Sequence, residues 1–165
     1  MEDSNKNHFE ALVDEHSPAL YAQIRSMVLN HEDANDVLQN TWLKAWHAQS
    51  GFRGEAAAAT WLYRIAYNEA LQHLRKQKVK RVFLLTNASA ERVDGSLSTA
   101  DPGKILERAI EGLSVQQRAV FGMRYFNDMP IKDVAQALRL AEGTIKAVYH
   151  KAVKKIEDYI KKNPN

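Results

Sequence analysis

Residues Ile131–Ile156 constrain the fold most, because their apolar pattern fits one local geometry. Two helices that cross steeply through a short turn need a small residue where the second passes over the first, and Ala135 stands there. They also need apolar residues inside the corner, which Val134, Leu138, Leu140, Ile145 and Val148 supply. The turn position often held by Gly is Arg139, a mild departure. With Val148 inward, a rotation of roughly 100° per residue puts Lys146, Ala147, His150 and Lys154 on the outer face. Short and basic side chains there suit base edges and phosphates in a DNA groove. The plainer alternative is a solvated basic face on an ordinary helical hairpin. The corner pattern and the basic face together favour DNA binding.

The rest of the chain is also patterned for helices. Only seven Gly and four Pro occur in 165 residues, and Ala, Leu, Lys, Glu and Gln are frequent. Phe9, Leu12 and Val13 stand at helical spacing. Ser17-Pro18 is read as a cap that restarts the helix, and Leu20, Tyr21, Ile24, Met27 and Val28 continue the stripe. Asn30-His31 ends it. A second helix, about Asp33 to His47, packs through Ala34, Val37, Leu38, Thr41, Trp42 and Ala45. After a loop from Gln49 to Gly54, a long helix is expected from about Ala57 to Lys80, closing on the basic run Arg75–Arg81. From about Phe83 to Pro102 periodicity is lost, as in an interdomain linker. About four shorter helices follow. Ser114 and Gln117 form a capping box on one that buries Ala119, Val120, Met123 and Phe126 before Asn127–Pro130 ends it. The expectation is an all-α fold: two small helical domains joined by a flexible linker, with the helix-turn-helix in the second.

No cysteine is present, so disulfide frameworks and thiolate metal sites are excluded. No apolar run is long enough for a bilayer, and the first residues are polar and acidic, so a cytoplasmic chain is the simplest reading. A net charge of +3 permits a nucleic-acid partner without demanding one. None of the six histidines has a Glu three residues before it, and no Walker, His-Glu-x-x-His or Gly-x-Ser-x-Gly motif occurs. No catalytic residue, metal or cofactor is therefore expected.

Two features of the first half ask for more than a core role. Setting Leu38 inward turns Leu43 roughly 140° away, among Asp36, Asn40 and His47. It is either one exposed leucine or, flanked by Asp36, Gln39 and Lys44, an anchor for a partner. On the long helix, Leu62, Ile65 and Ala66 face inward, while Arg64, Tyr67, Asn68, Leu71, Arg75 and Lys78 gather on the opposite side with Trp61 at its border. Cations interleaved with aromatic rings and an amide suit single-stranded DNA. The alternative is core aromatics beside a solvated charged surface. Trp42 reads as core, Trp46 is ambiguous, and Trp61 is the best exposed functional ring.

These residues resemble a known family. The run Asp33–Trp46 (DANDVLQNTWLKAW) is similar to the core-polymerase-binding helix of extracytoplasmic-function (ECF) sigma factors, in the sigma-70 family of bacterial RNA polymerase. Phe52-Arg53-Gly54 and Thr60–Asn68 (TWLYRIAYN) resemble its promoter-melting segment, and the helix-turn-helix with Gly143–Lys146 its C-terminal domain. The resemblance implies a region 2 domain over 1–82, a linker over 83–102 and a region 4 domain over 103–165. It implies that Asp36, Gln39, Asn40, Leu43 and Lys44 meet the clamp helices of the polymerase β′ subunit. Phe52, Arg53, Trp61, Arg64, Tyr67 and Asn68 would engage the −10 element, with Asn68 where the family reads a flipped-out base. Lys146, Ala147, His150, Lys151 and Lys154 would meet the −35 element while this domain docks on the β flap. An anti-sigma factor, often membrane-bound, is a further implied partner, and the free chain would be a monomer.

Departures bear on the second domain. The family usually has Ser where Ala141 stands, Ser-Arg at Ala147-Val148, and arginines at Lys151 and Val153. Lysine cannot reproduce the bidentate grip of arginine on guanine, so a relaxed or unusual −35 preference is expected. The main rival is a dimeric helix-turn-helix regulator, which leaves TWLYRIAYN and Leu43 without a role.

Overall fold

The computed structural model describes residues 1–52, 57–87 and 101–164, with the side chains of residues 86 and 87 left aside. Among these the chain is helical, in the order α1 (Glu2–Val28), α2 (His31–Ala48), a 3₁₀ turn (Gln49–Gly51), α3 (Ala58–Asn87), α4 (Pro102–Glu111), α5 (Val115–Phe121), a π-helical turn (Gly122–Phe126), α6 (Ile131–Leu138) and α7 (Glu142–Lys162).

The first three helices pack on one another. Leu20, Ile24 and Met27 of α1, Ala34, Val37 and Ala45 of α2, and Leu62, Ala66 and Ala70 of α3 are buried between them. Helix α1 is continuous through Pro18, where the sequence suggests a restart. Proline removes its own N–H, but this turn faces outward at Asp14 and Pro18, where water can reach the freed carbonyl. Ser17 does not cap; its hydroxyl accepts from Trp42 Nε1 at 3.1 Å and ties α1 to α2. The break between α1 and α2 comes at Leu29, left-handed at φ 72°, and at Asn30, whose side chain accepts the Asp33 N–H.

Helix α3 runs on to Asn87, past the expected end at Lys80. Phe83-Leu84-Leu85 contains no helix breaker, and extending a formed helix needs no new nucleus. Val79, Val82, Phe83, Leu84 and Leu85 are exposed along this extension. The linker expected over 83–102 otherwise falls mostly outside the described residues.

In the second half, Asp101 and Pro102 start α4, and the Ser114–Gln117 capping box starts α5. Ala119, Val120 and Met123 are buried as the pattern predicts, but Phe126 is exposed. The π turn widens the last helical turn and shifts the angle of its final residues, which moves Phe126 off the inward stripe. Helices α6 and α7 form the helix-turn-helix, and Arg139 takes the left-handed turn conformation at φ 55°. Val134, Ala135, Leu138 and Ile145 are buried in the corner. The core of the first three helices is continuous with that of α5, the π turn and α6, while α4 and α7 share a second cluster around Ile110, Phe121 and Ile156.

Candidate nucleic-acid interface

Helix α2 buries Ala34, Val37, Thr41 and Ala45, a spacing that sends Asp36, Gln39, Asn40, Leu43 and Lys44 to solvent. Leu43 is 59% exposed among these polar neighbours. Lys44 also turns its ammonium onto Glu69 of α3, a carboxylate that is itself buried, and so staples the two helices.

Helix α3 buries Thr60, Leu62, Tyr63, Ala66, Glu69 and Ala70. Burial pushes the Tyr63 hydroxyl up to about 12, as befits a ring held inside rather than offered to a ligand. Trp61 is half-buried and stacks on Phe52 from the preceding loop, with centroids 4.7 Å apart and planes 26° from parallel. Tyr67 is half-buried, and desolvation raises its pKa. Asn68 is exposed and shares a shallow groove with Lys44, His47, Ile65 and Glu69. Arg75 and Lys78 rim a second groove floored by Leu71 and Leu74. Arg53 lies outside the described residues.

Arg64 is not free. Its Nη2 donates to the backbone carbonyl of Gln136, in the first helix of the helix-turn-helix, at 2.7 Å. Burial lowers its pKa, and the neighbouring Arg139 adds like-charge repulsion. Helix α6 thus lies along the face of α3 that carries Arg64.

On α7, Ile145, Ala152 and Ile156 point inward and Lys146, Ala147, His150, Lys151 and Lys154 are all exposed. The guanidinium of Arg124 lies 5.5 Å from the ring centre of Tyr149 and braces the inner side of the helix. Ala141 occupies the N-cap without a side-chain hydrogen bond, as the missing serine predicts.

Sequence reading passed over the residues that join the halves. Arg118 is buried and donates to Leu113 O at 3.0 Å and Met27 O at 2.9 Å. Asn127 Nδ2 donates to Ala19 O at 3.0 Å. Gly122 sits against Ser26 and Gln23, which are both buried. A glycine inside a helical pattern, between Phe121 and Met123, was the one available signal. Among the described residues no helix is long and apolar enough to cross a membrane, and no group of three His, Asp or Glu side chains could hold a metal ion.

Known proteins match both halves of the chain. Residues 12–79 match the family model for sigma-70 region 2, and residues 103–156 match that for sigma-70 region 4. The ECF RNA polymerase sigma factor SigM of Mycobacterium tuberculosis is 32% identical over 139 residues, covering 84% of this chain and 70% of the relative. SigX of Bacillus subtilis is 25% identical over 161 residues, covering 92% and 83%. Among solved structures, the sigma factor RpoE of Bartonella quintana, crystallised with the anti-sigma factor NepR, matches with a TM-score of 0.77 at 26% identity, covering 93% of this chain and 97% of that one. The chain belongs to the extracytoplasmic-function family of RNA polymerase sigma factors.

Proposed function

We propose that the two halves divide promoter recognition between them. Residues 1–82 bind core polymerase and the −10 element, 83–102 connect, and 103–165 read the −35 element. Asp36, Gln39, Asn40, Leu43 and Lys44 form the polymerase-binding face, with Leu43 the apolar anchor at its centre. The Phe52–Trp61 stack offers a flat face to unstacked bases, Arg53 and Arg64 pair with phosphates, Tyr67 packs beside them, and Asn68 reads a base edge. Lys146, Ala147, His150, Lys151 and Lys154 lie along the major groove at −35, with phosphate contact dominating over base reading. The protein contributes no catalytic site; bond formation belongs to the polymerase. It acts in the cytoplasm, is a monomer when free, and is held by an anti-sigma factor, as the RpoE structure is.

One observation carries this reading. A single short chain presents a stacked aromatic pair with an exposed asparagine on α3 and five free residues on the outer face of a helix-turn-helix. A dimeric repressor has no use for the first. Transcription in vitro with purified core polymerase and genomic DNA tests it: new transcript starts should depend on the chain. Trp61→Ala with Asn68→Ala should keep core binding yet lose strand opening by about 100-fold. Leu43→Asp should weaken core binding with an unchanged circular dichroism spectrum. Duplex palindrome binding without polymerase, and no chain-dependent start, would favour the repressor.

A further inference from the structure

We infer that the end of α3 is a membrane-surface site: Arg75 to Leu85 lie on the headgroup layer of an anionic bilayer, and Val79, Phe83 and Leu84 dip between the lipids. From Lys78 to Leu85 every residue is exposed, so for about two helical turns α3 stands clear of the rest of the molecule. Five of these residues are large and apolar. Val79 is 71% exposed, Phe83 67% and Leu84 61%, and Val82 and Leu85 are more than half exposed as well. Single apolar residues on a surface need no explanation, but a contiguous group marks an interaction surface. Promoter recognition as proposed above makes no use of this group.

The sequence around them carries charge of one sign. Arg75, Lys76, Lys78, Lys80 and Arg81 are five cations in seven residues, and no Asp or Glu stands between Glu69 and Glu91. The whole chain has a net charge of only +3, so its positive field is concentrated here. Rotation by roughly 100° per residue sets Val79 and Phe83 on one side of α3, with Lys76 and Lys80 beside them. Lysine stems are apolar and lie along the same surface while their ammonium groups reach lipid phosphates. Leu84 and Leu85 diverge to either side, so the apolar residues surround the helix rather than line one stripe. This arrangement discriminates among partners. A concave protein groove covers one stripe of a helix and would leave the others in water. A nucleic acid uses the cations but has no place for Val79, Leu84 and Leu85, because aliphatic side chains do not stack on bases as aromatic rings do. A layer of lipid headgroups and upper acyl chains gives way around the helix and takes both. The segment is too short to span a bilayer, so it lies on the surface. Its apolar part and its charge are each weak alone, which makes the attachment reversible.

Full-length protein and lipid vesicles test this. The chain should sediment with vesicles of phosphatidylcholine mixed with phosphatidylglycerol, and should bind vesicles of phosphatidylcholine alone about tenfold or more weakly. Because the chain has no cysteine, Leu84→Cys can be labelled singly with an environment-sensitive dye. Its emission should shift to the blue on the anionic vesicles, as that of a probe entering the acyl boundary does. Val79→Ser/Leu84→Ser and Lys76→Gln/Lys80→Gln replace exposed side chains, so the circular dichroism spectrum should be unchanged. Each pair should weaken vesicle binding by about tenfold. No binding to the anionic vesicles, equal binding to both kinds, or an unshifted dye would each overturn the inference. So would unchanged binding by Val79→Ser/Leu84→Ser, which would leave charge attraction alone. If vesicles are not bound but single-stranded DNA is, and Lys76→Gln/Lys80→Gln releases it, the surface belongs to nucleic acid instead.

Discussion

At the start of α2 the carboxylate of Asp33 accepts from Asn30 Nδ2 at 2.5 Å and Gln77 Nε2 at 2.6 Å, with His73 Nε2 3.3 Å away. Its backbone N–H is capped by Asn30 as well. The Asn30 hydrogen bond is the main cause that lowers its pKa below the ordinary 3.8, burial opposes it, and Gln77 and His73 add to the lowering. A depressed folded pKa means that the ionised form stabilises the fold at higher pH. That contribution is complete above 3.8 and is lost as pH falls through the folded value. Asp33→Asn should therefore cost about 1 kcal/mol at pH 5, and the gap to wild type should shrink as pH falls below 3.8, in urea unfolding followed by tryptophan fluorescence. Residue-level exposure was legible where it followed helix period. Leu43 was placed outward by angle alone, and the structure exposes it. Gln23 and Arg118 were not legible, because a polar side chain looks the same in sequence whether it meets water or a buried carbonyl.

Among the elements, the helix-turn-helix was readable because its corner needs specific residues at close spacing. Even Arg139 in the glycine position adopts the required left-handed backbone. Pro18 and Phe83–Leu85 misled for opposite reasons. A proline looks like a helix start until packing on both sides carries the helix through it, and the stretch past a basic run looks like the start of a linker until the helix extends into it. Phe126 misled because a π turn changes the period within the element, which no constant-angle rotation anticipates. Helix α7 retains a correctable weakness. Ala141 has the extended backbone of an N-cap (φ −66°, ψ 146°) but no side-chain acceptor for the first-turn N–H groups. Ala141→Ser should stabilise the chain by about 1 kcal/mol, raising Tm by about 3 °C. No change in Tm would mean that water already satisfies that turn.

For the whole molecule, the question is whether the halves are independent. Their joining bonds span 91 residues from Arg118 to Met27, 108 from Asn127 to Ala19 and 72 from Gln136 to Arg64, separations that local pattern cannot relate. Sequence therefore indicated two helical units and a connector but not the face on which they meet. In the structure the two share one core, since the buried cluster passes from α1 through Val120 and Met123 to α6. All three tryptophans, at 42, 46 and 61, lie in the first half, so their fluorescence reports that half alone. Arg118→Ala lies in the second half and removes the cation that joins the ends of α1 and α4. It strands the carbonyls of Met27 and Leu113 in a buried site, at a cost of about 2 kcal/mol or more. If the halves are coupled, the tryptophan transition and the helical signal should fall together by several degrees. If they unfold separately, the helical signal should split into two steps, with the tryptophan step unmoved. Separating the halves would cost the bonds that Arg118 and Asn127 make to α1, so any ligand that held them apart would have to bind the open form more tightly than the closed by at least that amount.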